Sequence, residues 1–113
     1  MNQTKYIVDI DDTICTPTYG KYHLAKPYIN RIKKINELYE SGHIIIYFTA
    51  RGMGRSNNNI IIAYKECYEL TFKQLNEWGC KFHELYLGKP NGDFYIDDKS
   101  ILLEDFFSEN KKQ

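Results

Sequence analysis

The chain has 113 residues, 15 Lys+Arg against 15 Asp+Glu, three His, three Cys and 42% hydrophobic residues: enough for one domain with its own core, too few for two. A formal charge of zero lacks the basic excess of a nucleic-acid binder, so the expected partner is a small molecule and not nucleic acid. No apolar run approaches the roughly 18 residues that span a bilayer, the opening MNQTKY has no signal-peptide layout, and Cys15, Cys67 and Cys80 form no C-x-x-C; a cytoplasmic protein with buried, reduced thiols and no membrane partner is expected.

Residues 5–10, KYIVDI, are β-branched and aromatic and run into a polar turn, which predicts a buried strand. Residues 16–20, TPTYG, read as an irregular loop. From Pro27 the apolar positions Tyr28, Ile32, Ile35, Leu38 and Tyr39 make a helical stripe that Pro27 can open and Gly42 can close. Residues 44–48 are a continuous apolar run, suited to a central strand covered on both faces and ending at Thr49. A polar, glycine-containing loop over 51–59 follows, its asparagines placed to cap the next helix. Ile60, Tyr64, Cys67, Thr71, Leu75 and Trp78 mark that helix, which ends near Gly79. Strands are expected at 84–87 and, shorter, at 94–96, then a helical turn or two within 101–107. Residues 109–113 are a polar tail expected to fray.

Strand and helix in alternation predict an α/β fold: one Rossmann-like domain, mainly a parallel sheet with helices on both faces. In such sheets ligands bind at the carboxyl ends of the strands. Asp9 and Asp11, Thr49, and Asp97 and Asp98 each fall at a predicted strand end, and Lys89 closely follows the remaining strand. Two carboxylates ~4 Å apart at an effective dielectric of ~20 repel by roughly 4 kcal/mol, so a cation is expected among them. A few oxygen ligands with room for water suit Mg²⁺ better than Ca²⁺, and zinc would want clustered His or Cys. Lys89 and the Thr49 hydroxyl, with the backbone N–H groups beside it at Ala50 and Arg51, complement a phosphate. Asp9-Ile10-Asp11 puts two carboxylates on one side of an extended chain, one to attack and one to handle a proton.

Val8-Asp9-Ile10-Asp11-Asp12-Thr13, Ile46-Tyr47-Phe48-Thr49, Lys89 and Tyr95-Ile96-Asp97-Asp98 resemble, in order, the four motifs of the haloacid dehalogenase superfamily of phosphohydrolases. DIDDT, FTAR, GKP and FYIDDK are most similar to its small capsule- and polysaccharide-biosynthesis phosphatases, over nearly the whole chain from Tyr6 to about Asp105. The resemblance implies a Mg²⁺-dependent phosphomonoesterase acting on a phosphorylated sugar, sugar conjugate or small phosphoalcohol. Asp9 would be the nucleophile and Asp11 the acid and base. Asp9, the backbone carbonyl of Asp11, and Asp97 would hold Mg²⁺, while Thr49, Ala50, Arg51 and Lys89 bind the phosphoryl group. Asp98 would lie in the outer metal shell or orient Lys89, and Asp12 stands where the superfamily often has glycine and reads as structural. Neither the gap 14–43 nor the gap 51–88 has room for a cap domain, which leaves an open site and a homo-oligomer conceivable.

Each of these residues also has an ordinary reading: the aspartates as turn residues, Lys89 as a surface lysine before a proline, Thr49 as a strand-end β-branched residue, Arg51 and Arg55 as solvated loop charges. Tyr19, Tyr22 and His23 read as packing or exposed residues ahead of substrate contacts, and His43 and His83 lack ligand spacing. The alternative function is a non-catalytic receiver-like phospho-acceptor or phospho-ligand-binding domain. A receiver needs its acceptor Asp at the end of a middle strand, where Phe48-Thr49-Ala50-Arg51 has none.

Overall fold

Pattern and chain order turn into structure through two strand–helix units and a closing strand. The computed structural model describes residues 2–108, and the tail at 109–113 lies outside them. Its elements are β1 (Lys5–Val8), α1 (Ile29–Glu40), β2 (Ile44–Thr49), α2 (Ile60–Glu77), β3 (Glu84–Leu87) and α3 (Leu103–Phe107), with a single 3₁₀ turn at Tyr22–Leu24 in the first connection. The α1 stripe buries Ile32 and Ile35. Asn59 caps α2 as its sequence suggests, the side-chain Oδ1 accepting the Ile62 N–H at 3.1 Å. The buried face of α2 carries Ala63, Cys67, Thr71, Gln74 and Leu75.

The sheet is parallel, in the order β1-β2-β3, with Val8 beside Tyr47, Tyr47 beside Leu85, and Thr49 beside Leu87. Right-handed crossovers that both step in the same direction put α1 and α2 on the same face of the sheet. One core results, in which Val8, Ile45, Tyr47, Leu85 and Leu87 meet Ile32, Ile35, Ala63, Cys67 and Leu75. This corrects the expectation of helices on both faces. On the far face Ile46 is shielded, but its partner Ile7 is 56% exposed and Tyr86, which pairs with Phe48 on the same face, is 46% exposed.

A second correction concerns residues 94–96, which form no strand. Phe94 is 88% and Ile96 100% exposed, and the outer edge of β1 has no partner among the described residues. The reason is connectivity: a parallel strand needs a crossover of about a dozen residues, and only four residues separate Lys89 from Phe94. Asp97 and Asp98 therefore sit on an irregular, exposed segment and not at a strand end. No helix among the described residues is long and apolar enough to cross a membrane.

Candidate active site

Asp9 follows directly on β1, where the chain leaves the sheet in a tight turn. The Ile10 carbonyl accepts the N–H groups of both Thr13 (3.0 Å) and Ile14 (2.9 Å). Asp12 takes the left-handed conformation at φ 60°, its N–H donating to the Cys15 carbonyl and its carboxylate accepting the Tyr28 hydroxyl at 3.1 Å. Only glycine and short polar residues adopt that backbone readily, and aspartate is one of them. The turn brings Thr13 back so that its hydroxyl donates to Asp9 Oδ2 at 3.1 Å. Lys89 Nζ lies 3.3 Å from Asp9 Oδ1. Burial pushes the Asp9 carboxyl above its ordinary pKa, and the Lys89 ammonium works against that rise.

Lys89 is set in place by its backbone, whose N–H donates to the Thr49 carbonyl at 3.2 Å and so continues the β2–β3 pairing by one bond. Thr49 is fully buried, and its hydroxyl accepts the Arg51 N–H at 3.1 Å. Ala50 is half-buried, its carbonyl accepting the Met53 N–H at 2.9 Å. Thus Asp9, Thr49, Ala50 and Lys89 come together at the carboxyl end of β1 and β2.

Arg51 behaves as neither a solvated loop charge nor an available phosphate ligand. Its side chain is buried, and all three guanidinium nitrogens are spent on the protein. Nε donates to both Asp11 oxygens at 3.2 and 3.0 Å, and Nη2 to Asp11 Oδ1 at 3.0 Å. Nη1 donates to Thr71 Oγ1 at 3.2 Å and to Gln74 Oε1 at 2.6 Å. The Tyr22 ring lies 4.9 Å from the guanidinium. Gln74 in turn donates to the Tyr22 carbonyl at 2.7 Å, and the Tyr22 hydroxyl accepts the Gly52 N–H at 3.0 Å. Arg55 stacks on the same ring at 5.1 Å and donates to the Gly20 carbonyl at 2.6 Å. Tyr22 is thus a packing residue between two arginines. Thr71 and Gln74 are the Arg51 partners to which the sequence reading gives no polar role; their signal is a pair of polar residues three apart on the buried stripe of α2.

Asp97 is not brought to this group. It is exposed, accepts the Lys99 N–H at 2.9 Å, and that bond holds its carboxyl below the ordinary value. Among the described residues no three His, Cys, Asp or Glu side chains form a set that could hold a metal ion. Asp9 and Asp11 supply oxygen donors of the kind Mg²⁺ takes, but each is paired with a cationic side chain, and the trio with Asp97 is not assembled within one chain. His43 and His83 are structural: their Nδ1 atoms accept the N–H groups of Thr4 (3.0 Å) and Ile45 (3.1 Å).

No family model matches the chain, and no curated protein matches it. Among solved structures it is similar to the crystal structure of an MCSG target from Vibrio cholerae, at 26% identity, over 97% of this chain and 92% of that chain, with a TM-score of 0.85.

Proposed function

We propose that the chain is a phosphomonoesterase that works through an aspartyl-phosphate on Asp9. The observation that carries this reading is the partly buried Asp9 carboxylate at the end of β1, paired at 3.3 Å with Lys89. A carboxylate partly withdrawn from water is a better nucleophile than a fully hydrated one, and an adjacent ammonium offsets the charge of an incoming phosphate. In the first step an Asp9 oxygen bonds to phosphorus, the ester P–O bond breaks, and the leaving oxygen takes a proton from Asp11, which must have exchanged its ion pair with Arg51 for that proton beforehand. In the second, Asp11 takes a proton back from a water whose oxygen attacks phosphorus, releasing inorganic phosphate and regenerating both carboxyl groups. Lys89 holds the phosphoryl oxygens. Arg51 acts through Asp11, fixing the orientation of its carboxylate.

Mg²⁺, the cofactor the resemblance implies, would require Asp97 to join Asp9 and Asp11. The likeness to capsule and polysaccharide phosphatases makes sugar phosphates the first substrates to try. The test is phosphate release from a panel of sugar phosphates and small phosphoalcohols, with and without Mg²⁺. Release by the wild type, abolished in Asp9→Asn together with any trapped aspartyl-phosphate, is expected. No release from any member of the panel refutes the reading.

A further inference from the structure

The outer edge of β1 is unpaired among the described residues, and residues 93–97 have the composition of a strand, yet the two cannot meet within one chain. Lys89 is tied by its backbone to Thr49, and Asn91 by its N–H to Asn58 Oδ1 at 2.9 Å. Phe94 lies five residues beyond Lys89, a reach of at most about 17 Å. A parallel strand with Asp97 beside Asp9 would put Phe94 beside Tyr6. From the β1–β2–β3 register, that place is three strand spacings across and about six residue rises below Lys89, roughly 14 and 20 Å, or about 24 Å in a straight line through the sheet. The connection falls short even before it has to pass around β2 and β1.

A second copy is free of this restriction, and short connections of this kind favour exchange between copies. In the same register Asp93 stands beside Lys5, an opposite-charge pair, and Tyr95 beside the half-exposed Ile7. Phe94 and Ile96, the two most exposed side chains of the segment, fall on the face of Tyr6 and Val8, which turn toward the core. Ile101 and Leu102, 60% and 73% exposed, follow on the same segment. Five large apolar side chains from each copy, at about 100 Å² apiece, reach roughly the 1,000 Å² that a specific interface needs. An unpaired edge and such a segment on one chain would otherwise invite uncontrolled association.

We propose that the chain is a dimer in which residues 93–97 of each copy add to β1 of the other as a parallel fourth strand, delivering Asp97 to the partner's Asp9 and Asp11. The pairing stands on fold and connectivity alone; the supply of a third carboxylate to a working site rests on the phosphatase reading. Parallel pairing puts the carboxyl end of the added strand at the rim where Asp9 sits. It assembles across two chains the three-carboxylate set that one chain lacks.

Light scattering on the purified protein should give twice the 13.4 kDa of one chain. Ile96→Glu should give a single chain of unchanged far-UV circular dichroism, because that side chain is fully exposed in one copy and its exchange disturbs no core. A wild type that stays at one chain at every concentration, or a dimer that Ile96→Glu leaves intact, overturns the proposal. The shared site is tested by co-expressing Asp9→Asn with Asp97→Asn, each inactive alone. Random pairing makes half the dimers mixed, with one intact composite site each, so about a quarter of wild-type turnover should return. No recovery, with the wild type active, overturns the exchange of Asp97. If the wild type turns over nothing, the phosphatase reading falls and the mass measurements decide the dimer by themselves.

Discussion

Replacing Arg51 by methionine keeps most of the buried volume and removes the charge, leaving Asp11, Thr71 and Gln74 without their common partner. At the observed 3.0 Å and an effective dielectric of ~20, the Asp11–Arg51 attraction is roughly 5 kcal/mol before desolvation is counted. Removing one member of a buried pair generally costs about 3–5 kcal/mol. Asp11 is 27% exposed and can recover some hydration, which places the expected loss near the lower end, about 3 kcal/mol. A chain of this length has a total stability of roughly 6–17 kcal/mol, so the change is large. Urea unfolding followed by circular dichroism measures it, and the m-value should stay as in the wild type. Arg51→Lys should restore less than half of the loss, because one ammonium cannot reach both Asp11 oxygens and Gln74 as the guanidinium fork does. A double-mutant cycle with Asp11→Asn should return a coupling of about 2 kcal/mol or more. A loss below about 1 kcal/mol for Arg51→Met would show that the guanidinium is not the ion-pair centre of this core.

Gly52 has φ +81°, and a Cβ there would lie 3.0 Å from both Ala63 Cα and Cys67 Sγ, so Gly52→Ala must displace α2 as well as strain its own backbone. Gly79 has φ +76° with open space around it, and Gly79→Ala carries only the backbone strain, about 1 kcal/mol. Thermal melts should therefore rank Gly52→Ala below Gly79→Ala by several degrees; the reverse order would contradict the packing of the second loop on α2. Burial pushes the Cys15 and Cys80 thiols up to about 12, with the Asp11 charge adding to the effect at Cys15. Between the unfolded value near 9 and that folded value the unfolded chain has lost protons the folded one keeps, so stability falls as pH rises. The thiols' share of stability should be level below pH 9 and decline toward 12, less steeply in Cys80→Ala; an alkaline decline identical in that variant would contradict the burial of Cys80.

Where a residue's own neighbours in sequence decide its fate, the sequence was readable. The stripe from Ile60 to Leu75 delimits α2 closely, and EL-Y-L at 84–87 is β3 residue for residue. Asp9, Thr49 and Lys89 were placed by the rule that strand ends carry function, and they do converge. The misses all lie in long-range geometry. Phe94-Tyr95-Ile96 has the composition of a strand, but strand formation needs a ladder partner, and nothing local reports that the connection from Lys89 is too short to reach one. Helices on both faces were inferred from alternation alone, whereas the strand order β1-β2-β3 decides the side. Arg51 in a glycine-rich polar loop looks solvated; its burial depends on Asp11, forty residues upstream, and on two α2 side chains about twenty residues downstream.

The contacts of Tyr22 set a condition on how the first loop of this protein can change. Its carbonyl is held by Gln74, its hydroxyl by the Gly52 N–H, and its ring by Arg51 and Arg55. A replacement for residues 16–25 grafted from another chain would arrive without the anchor, taking the acceptor from the Gly52 N–H and the ring from beside two arginines. Diversification at the first loop is therefore free at exposed positions such as Tyr19. At position 22 it can proceed only in step with residues 51–55, so that the second loop keeps a record of which first loop the chain carries.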